Sequence, residues 1–182
     1  MVHNGVKVLV ITTELTTRGW IEQMESIGYG MTDAIREGQV MVLSRYGTGA
    51  DARQDVTLSE VLSSPAIPAA DVIVLDSASS LMPEDVSRAD HFALIQQLRK
   101  IASDGRSFML CADPEEMDSQ LLHTLRASAE VVLDLDNALI GGELKRSIVI
   151  TRFLRAAGPI QTSVGWRVEP GMGFIVDITA VS

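Results

Sequence analysis

Two apolar runs without polar alternation, Val8–Ile11 and Val72–Leu75, each lead into an acidic residue. The first continues through two threonines to Glu14, and the second continues directly to Asp76 and Ser77. Such β-branched runs are typical of strands whose sheet is covered by helices on both faces, as in parallel α/β proteins. Ligands bind at the carboxyl edge of such sheets, so Glu14 and Asp76 are predicted to serve one site.

Segments with helical periodicity lie between these strands. After Thr16 and Thr17, the residues Trp20, Met24 and Ile27 recur on one helical face, and Gly28 ends that helix. Further along, the pattern predicts a short helix at 32–37, a strand at 40–43, a loop at 45–55 and a helical turn at 57–62.

Two later helices are predicted from their start signals. Pro83, followed by two acids, suits a first helical turn, and the buried stripe of that helix is Leu94, Ile95, Leu98, Ile101 and Ala102. A strand at 107–111 follows. Asp113 with Glu116 then has the spacing of a capping box, which predicts a second helix start.

Beyond residue 131 the pattern changes to strands alone. Strands are predicted at 131–135, 147–153, 162–168 and 174–179, with turns at 141–142 and 169–173. The fold class is therefore predicted to be α/β, with a mostly parallel body and an antiparallel C-terminal extension. No internal repeat or low-complexity tract is seen, so residues 1–182 are expected to form a single domain.

Composition narrows the choice of partners. The formal net charge of -9 argues against a nucleic-acid partner, because phosphate backbones are bound mainly by Lys and Arg. The apolar runs are too short to span a bilayer, and the N-terminus lacks signal-peptide character, so a cytoplasmic location is expected. Cys111, the single cysteine, is predicted to be a small buried apolar residue, and His3, His91 and His123 are scattered and form no ligand set.

The segment from Ile11 to Tyr29 resembles the archaellum accessory ATPase family of the FlaH type, a branch of the KaiC and RecA-like NTPases. Asp76-Ser77, which resembles a Walker B strand end, falls in the corresponding order. The same holds for the unit around Cys111, for Arg152-Phe153 and for the segment 170–173. The resemblance covers nearly the whole chain and implies a RecA-like sheet.

One family feature is missing from the sequence. Members carry a Walker A loop ahead of the Glu14 strand, and residues 1–182 contain no such motif; the segment 47–49, Gly-Thr-Gly, lacks its Lys. We expect either a piece of a longer protein or a homologue without the phosphate cradle. The resemblance places the missing strand between those at 107 and 131, so a gap or a re-paired sheet is expected there.

The resemblance also implies roles for individual residues. Asp76 would hold Mg²⁺ through water with Ser77 nearby, and Glu14 would orient the attacking water. Arg152, with Arg155 as the alternate, would reach the nucleotide of a neighbouring subunit in a homo-oligomeric ring.

The function implied is an ATP-binding regulatory subunit of an archaellum-type motor. Its nucleotide state would control ring assembly and contact with the motor ATPase and the membrane platform complex, with peripheral rather than inserted membrane association. Mg-ATP is the expected cofactor of an intact member, with binding by this chain weak or absent, and any ATPase activity would need an upstream Walker A. The alternatives are a nucleotide-independent scaffold and a KaiC-like active ATPase.

Overall fold

The computed structural model describes residues 5–46, 56–82 and 87–177. Contacts divide the chain into two units: residues 1–24 with 30–125, and residues 25–29 with 126–182. The predicted loop at 45–55 lies mostly outside the described residues.

A parallel four-stranded sheet organises the first unit. Its strands are β1 (Val8–Thr12), β2 (Val40–Ser44), β3 (Val72–Asp76) and β4 (Ser107–Leu110), in the order β2-β1-β3-β4. Val8 is level with both Val40 and Val72 across this sheet, and Thr12 is level with Asp76. The sequence therefore predicted both the parallel body and the alignment of its strand ends.

Helices cover both faces of this sheet. They are α1 (Thr17–Ser26), α2 (Thr32–Arg36), α3 (Leu58–Leu62), α4 (Arg88–Ser103) and α5 (Ser119–Ser128). On one face Leu9, Ile73 and Leu75 pack with residues of α3 and α4. On the other face Val10 and Val40 pack with Trp20 of α1 and with residues of α2. Because both faces are covered, β1 and β3 lack polar alternation.

The two predicted helix starts compare differently with the structure. Helix α4 begins at Arg88, after a capping box in which Ser87 and Asp90 exchange hydrogen bonds. The predicted start at Pro83 lies outside the described residues. Asp113 does not form the predicted capping box with Glu116. Its carboxylate accepts a hydrogen bond from the Glu115 backbone N–H and opens a 3₁₀ turn, Pro114–Glu116.

Helix α5 starts later, where the Asp118 carboxylate accepts hydrogen bonds from the backbone N–H groups of Gln120 and Leu121. The predicted buried stripe of α4 is wrong at one position, because Ala102 is exposed.

An antiparallel sheet organises the second unit. Its strands, in sheet order, are β5 (Val131–Ile140), β6 (Glu143–Phe153), β7 (Ser163–Glu169) and β8 (Gly173–Asp177). The β5–β6 hairpin extends to the Gly141-Gly142 turn and is longer than predicted. Arg126 binds the Asp134 carboxylate through two hydrogen bonds, at 2.6 and 2.8 Å, and this pairing lowers the pKa of Asp134.

Within the described residues each sheet has an edge strand that pairs on one side only. In this part of the chain β4 pairs with β3 alone, and β5 pairs with β6 alone. Apolar side chains are exposed on both edge strands, including Met109 on β4 and Leu135 and Leu139 on β5. The expectation of a gap or a re-paired sheet between the strands at 107 and 131 stays a prediction.

Candidate functional site

A cavity of about 350 Å³ opens at the carboxyl edge of the parallel sheet. Its lining includes four carboxylate side chains and a thiol, together with Ser77, Ala112 and Pro114. The acidic residues and the thiol are Glu14, Asp76, Cys111, Asp113 and Glu116. The structure thus brings Glu14 and Asp76 to one place, as the strand ends predicted.

Buried hydrogen bonds tie the ends of β1 and β3 together. The Thr13 backbone N–H donates to the Asp76 carbonyl oxygen at 2.8 Å. The Thr13 hydroxyl donates to the Ser77 carbonyl oxygen and accepts from the Ser77 N–H, both at 3.0 Å. Thr13 directly precedes Glu14, and its partners are backbone groups of Asp76 and Ser77, so these bonds fix where Glu14 and Asp76 leave the sheet. The sequence prediction missed Thr13.

Replacing Thr13 with Val should lower the free energy of unfolding by about 1–3 kcal/mol, because the buried Ser77 N–H loses its acceptor without a change in side-chain volume. Thr13→Ser keeps the hydroxyl and should recover most of this loss. Urea unfolding of the three proteins measures the effect. Equal stability of Thr13→Val and the parent would contradict the bracing role.

Thr12 shapes the turn that carries Glu14. Its side chain is buried, and its hydroxyl oxygen accepts from the backbone N–H groups of Glu14 and Leu15 at 3.4 and 3.2 Å. Glu14 itself is exposed. The turn therefore leaves its carboxylate free to meet a ligand in the cavity.

Ser77 is buried and its hydroxyl is engaged. It donates to the Ser79 hydroxyl at 3.1 Å and accepts from the Ser79 backbone N–H at 3.2 Å. The Ser79 hydroxyl in turn accepts from the Asp113 N–H at 2.7 Å. This chain of bonds holds the Asp113 segment beside β3 and engages the Ser77 hydroxyl in positioning it.

The pKa of the Cys111 thiol depends on the negative charge of this cavity. Its pKa is raised, first by burial and then by the nearby carboxylates of Asp76 and, more weakly, Glu14. The thiol is therefore held in its neutral form beside carboxylates that line the same cavity.

The pH profile of Cys111 labelling tests this arrangement. Asp76→Asn should move the apparent thiol pKa downward, because a neutral amide no longer disfavours the thiolate, and Glu14→Gln should move it less. Labelling rates with a disulfide reagent between pH 7 and 10 measure the shift. Glu22→Gln, an exposed change on α1, is the control, and an unchanged profile in Asp76→Asn would contradict the geometry.

The two candidate arginines lie in the second unit. Arg152, on β6, is half-buried, and among the described residues its Nε has no hydrogen-bond partner. Arg155 is exposed, has a positive φ of 61° and pairs with Glu130. The carboxylate partner makes Arg155 the less available of the two.

The oxygen donors of the cavity suit Mg²⁺, a hard cation that binds carboxylates, water and phosphate oxygens. In residues 5–46, 56–82 and 87–177, no three His, Cys, Asp or Glu side chains converge closely enough to hold an ion alone. Mg²⁺ in nucleotide sites usually binds only one or two carboxylates together with phosphates, so Asp76 fits that arrangement.

Comparison with known proteins gives two similar curated sequences. The chain is 29% identical over 181 residues to the "Archaeal flagellar ATP-binding protein FlaH" of Methanococcus voltae, covering 99% of this chain and 79% of the relative. It is also 29% identical to the protein of that name from Methanocaldococcus jannaschii, covering 99% and 78%. No protein-family profile matches the chain.

Two solved structures have a similar fold. Flagellar accessory protein FlaH from Methanocaldococcus jannaschii has a TM-score of 0.84 at 26% identity, covering 97% of this chain and 79% of that one. A KaiC-like protein from Pyrococcus horikoshii has a TM-score of 0.71 at 18% identity, covering 96% and 78%, and supports the fold alone. The resemblance and the fold class predicted from sequence are therefore confirmed.

Proposed function

We propose that this chain is the ATP-binding regulatory subunit of an archaellum-type motor, with a nucleotide state that controls ring assembly and contact with the motor ATPase. Its curated homologues, named archaeal flagellar ATP-binding proteins, support a role in the archaellum system. The proposed nucleotide site rests on one observation: Glu14 and Asp76 line the same cavity at the sheet edge.

Asp76 would hold Mg²⁺ through water at the end of β3, and Ser77 would keep that strand end in place. Bound Mg²⁺ would neutralise charge on the phosphates of ATP. Glu14, exposed at the cavity, would orient the attacking water and accept its proton. Arg152 remains the better candidate for a residue that acts on a neighbouring subunit's nucleotide.

The negative charge of the cavity lining determines what ATP binding would need. Among the described residues its lining contains four carboxylates and no Lys or Arg, so phosphates entering it without cations would be repelled. ATP binding therefore needs Mg²⁺ together with backbone N–H groups and a cation from elsewhere, as a Walker A loop would supply.

Calorimetry with Mg-ATP tests the proposal on two proteins: the 182-residue chain, and the same chain preceded by the Walker A segment of a FlaH relative. The 182-residue chain should bind with a Kd of about 1 mM or weaker, and the extended chain with a micromolar Kd. A micromolar Kd in the 182-residue chain would contradict the need for an outside cradle.

A nucleotide-independent scaffold is the second candidate, and the four carboxylates in the described lining of the cavity favour it, because they repel phosphates. If the extended chain also fails to bind Mg-ATP, the scaffold is the better description. Either function places the protein at a peripheral, cytoplasmic position. No helix in the described part of the chain is long and apolar enough to cross a bilayer.

A further inference from the structure

A second cavity in the first unit, of about 460 Å³, has a different character from the acidic one. It is an open groove between helices α4 and α5. Helix α4 contributes Phe92, Ile95 and Arg99, and α5 contributes Gln120 and His123. None of these residues lines the Glu14 and Asp76 cavity, so the groove is a separate feature.

The groove has an apolar centre. Ile95 is buried and forms part of its floor, whereas Phe92 is 64% exposed at its edge. A single exposed Phe is ordinary on a protein surface. Beside a concave groove, however, it offers a contact surface for an incoming apolar side chain, because burying an aromatic ring is strongly favourable.

The described lining of the groove contains one charged side chain, and that charge is positive. It is Arg99, and among the described residues the lining contains no carboxylate, although the chain has a formal net charge of -9. Arg99 has no salt bridge within the described residues. The guanidinium is therefore available to an outside carboxylate.

The acid beside this groove is already engaged. Asp118 Oδ1 is 3.9 Å from His91 Nε2, but the same oxygen accepts the two backbone N–H groups that start α5. His91 is buried, and its Nε2 makes no hydrogen bond within the described residues.

We infer that this groove binds an acidic amphipathic helix of a partner protein. An apolar side chain of that helix packs on Phe92 and Ile95, and a neighbouring carboxylate pairs with Arg99. The open shape favours a helix, because small ligands bind in sites that enclose most of their surface, whereas helices lie in apolar grooves. The charge of the lining selects an acidic partner. This inference does not depend on nucleotide binding.

Two synthetic peptides of about 15 residues test it, a length at which helix formation becomes feasible. Both carry Phe and Leu on one helical face, and the flanking positions are Glu in one peptide and Lys in the other. Fluorescence anisotropy with the 182-residue chain measures binding. We expect the Glu peptide to bind at least about tenfold more tightly than the Lys peptide.

Point variants test whether the Glu peptide binds in the groove. Arg99→Glu and Phe92→Ser should each weaken the Glu peptide by about tenfold or more, since each removes a direct contact. Lys100→Glu makes the same charge change one residue away, outside the groove lining, and should leave the Kd within about twofold. Both altered side chains in the groove are exposed, so the fold should be retained.

Four results would overturn the inference. They are equal affinity for the two peptides, no binding of the Glu peptide, equal effects of Arg99→Glu and Lys100→Glu, and phenylacetate binding as tightly as the peptide. Self-association of the unliganded chain that is lost in Arg99→Glu would also overturn it, by assigning the groove to a second copy.

Discussion

Asp76→Asn should raise the Kd for Mg-ATP by about 10- to 100-fold in the chain supplied with a Walker A segment. An amide lacks the negative charge that holds Mg²⁺ and its water at the end of β3. ATP binding without Mg²⁺ should change little, because the phosphates themselves do not contact Asp76 in the proposed arrangement. Calorimetry with and without Mg²⁺ measures the difference.

Glu14→Gln should affect turnover rather than binding. Binding of Mg-ATP should be retained, because the glutamine keeps the shape of the exposed side chain, whereas turnover should fall by about 10²–10⁴-fold through loss of the proton acceptor. Phosphate release under saturating Mg-ATP measures turnover in the same extended chain.

Glu116→Gln is the matched control for both variants. Glu116 lines the same cavity but lies in the 3₁₀ turn rather than at a strand end, so its replacement should change binding and turnover by less than about threefold. Equal effects of Asp76→Asn and Glu14→Gln on binding would contradict the separate roles assigned to them.

Gly28→Ala should cause the largest loss of folding stability, about 2–5 kcal/mol. Gly28 has a φ of +92°, and a Cβ there would lie 2.7 Å from the backbone oxygen of Gly171. The segment 25–29 approaches the β7–β8 turn closely, and the Tyr29 hydroxyl also accepts a hydrogen bond from the Phe174 N–H at 3.1 Å. Backbone atoms cannot move aside as a flexible side chain can.

Gly142→Ala is the control for backbone strain alone. Gly142 lies in the same unit with a φ of +84°, but a Cβ there meets no atom within 4 Å, so its replacement should cost about 1–2 kcal/mol. Urea unfolding followed through Trp166, in a Trp20→Phe background, reports on the second unit. Equal losses in the two variants would show that the close approach to Gly171 contributes nothing.

Local pattern was sufficient for the sheet edge that holds the candidate site. Continuous β-branched runs predicted strands buried on both faces, and parallel strands end at one edge, so Glu14 and Asp76 were expected at that edge, where the pairing of β1 with β3 brings them into one cavity. Cap positions were less predictable. Ser87 opens α4, Asp113 opens a 3₁₀ turn and Asp118 opens α5, and the pattern of apolar residues did not separate these roles.

The sequence by itself determined the α/β body, the antiparallel extension, the resemblance to FlaH-type proteins and the meeting of two carboxylates. Only the tertiary structure revealed the Thr13 and Ser77 bonds, the close approach of Gly28 to Gly171 and the groove shared by His91 and His123. The physical reason is the sequence separation of the residues involved. Periodicity and strand ends are local properties of the chain, whereas these contacts join residues from 32 to more than 140 positions apart. No local pattern encodes such contacts, so they appear only when the elements pack.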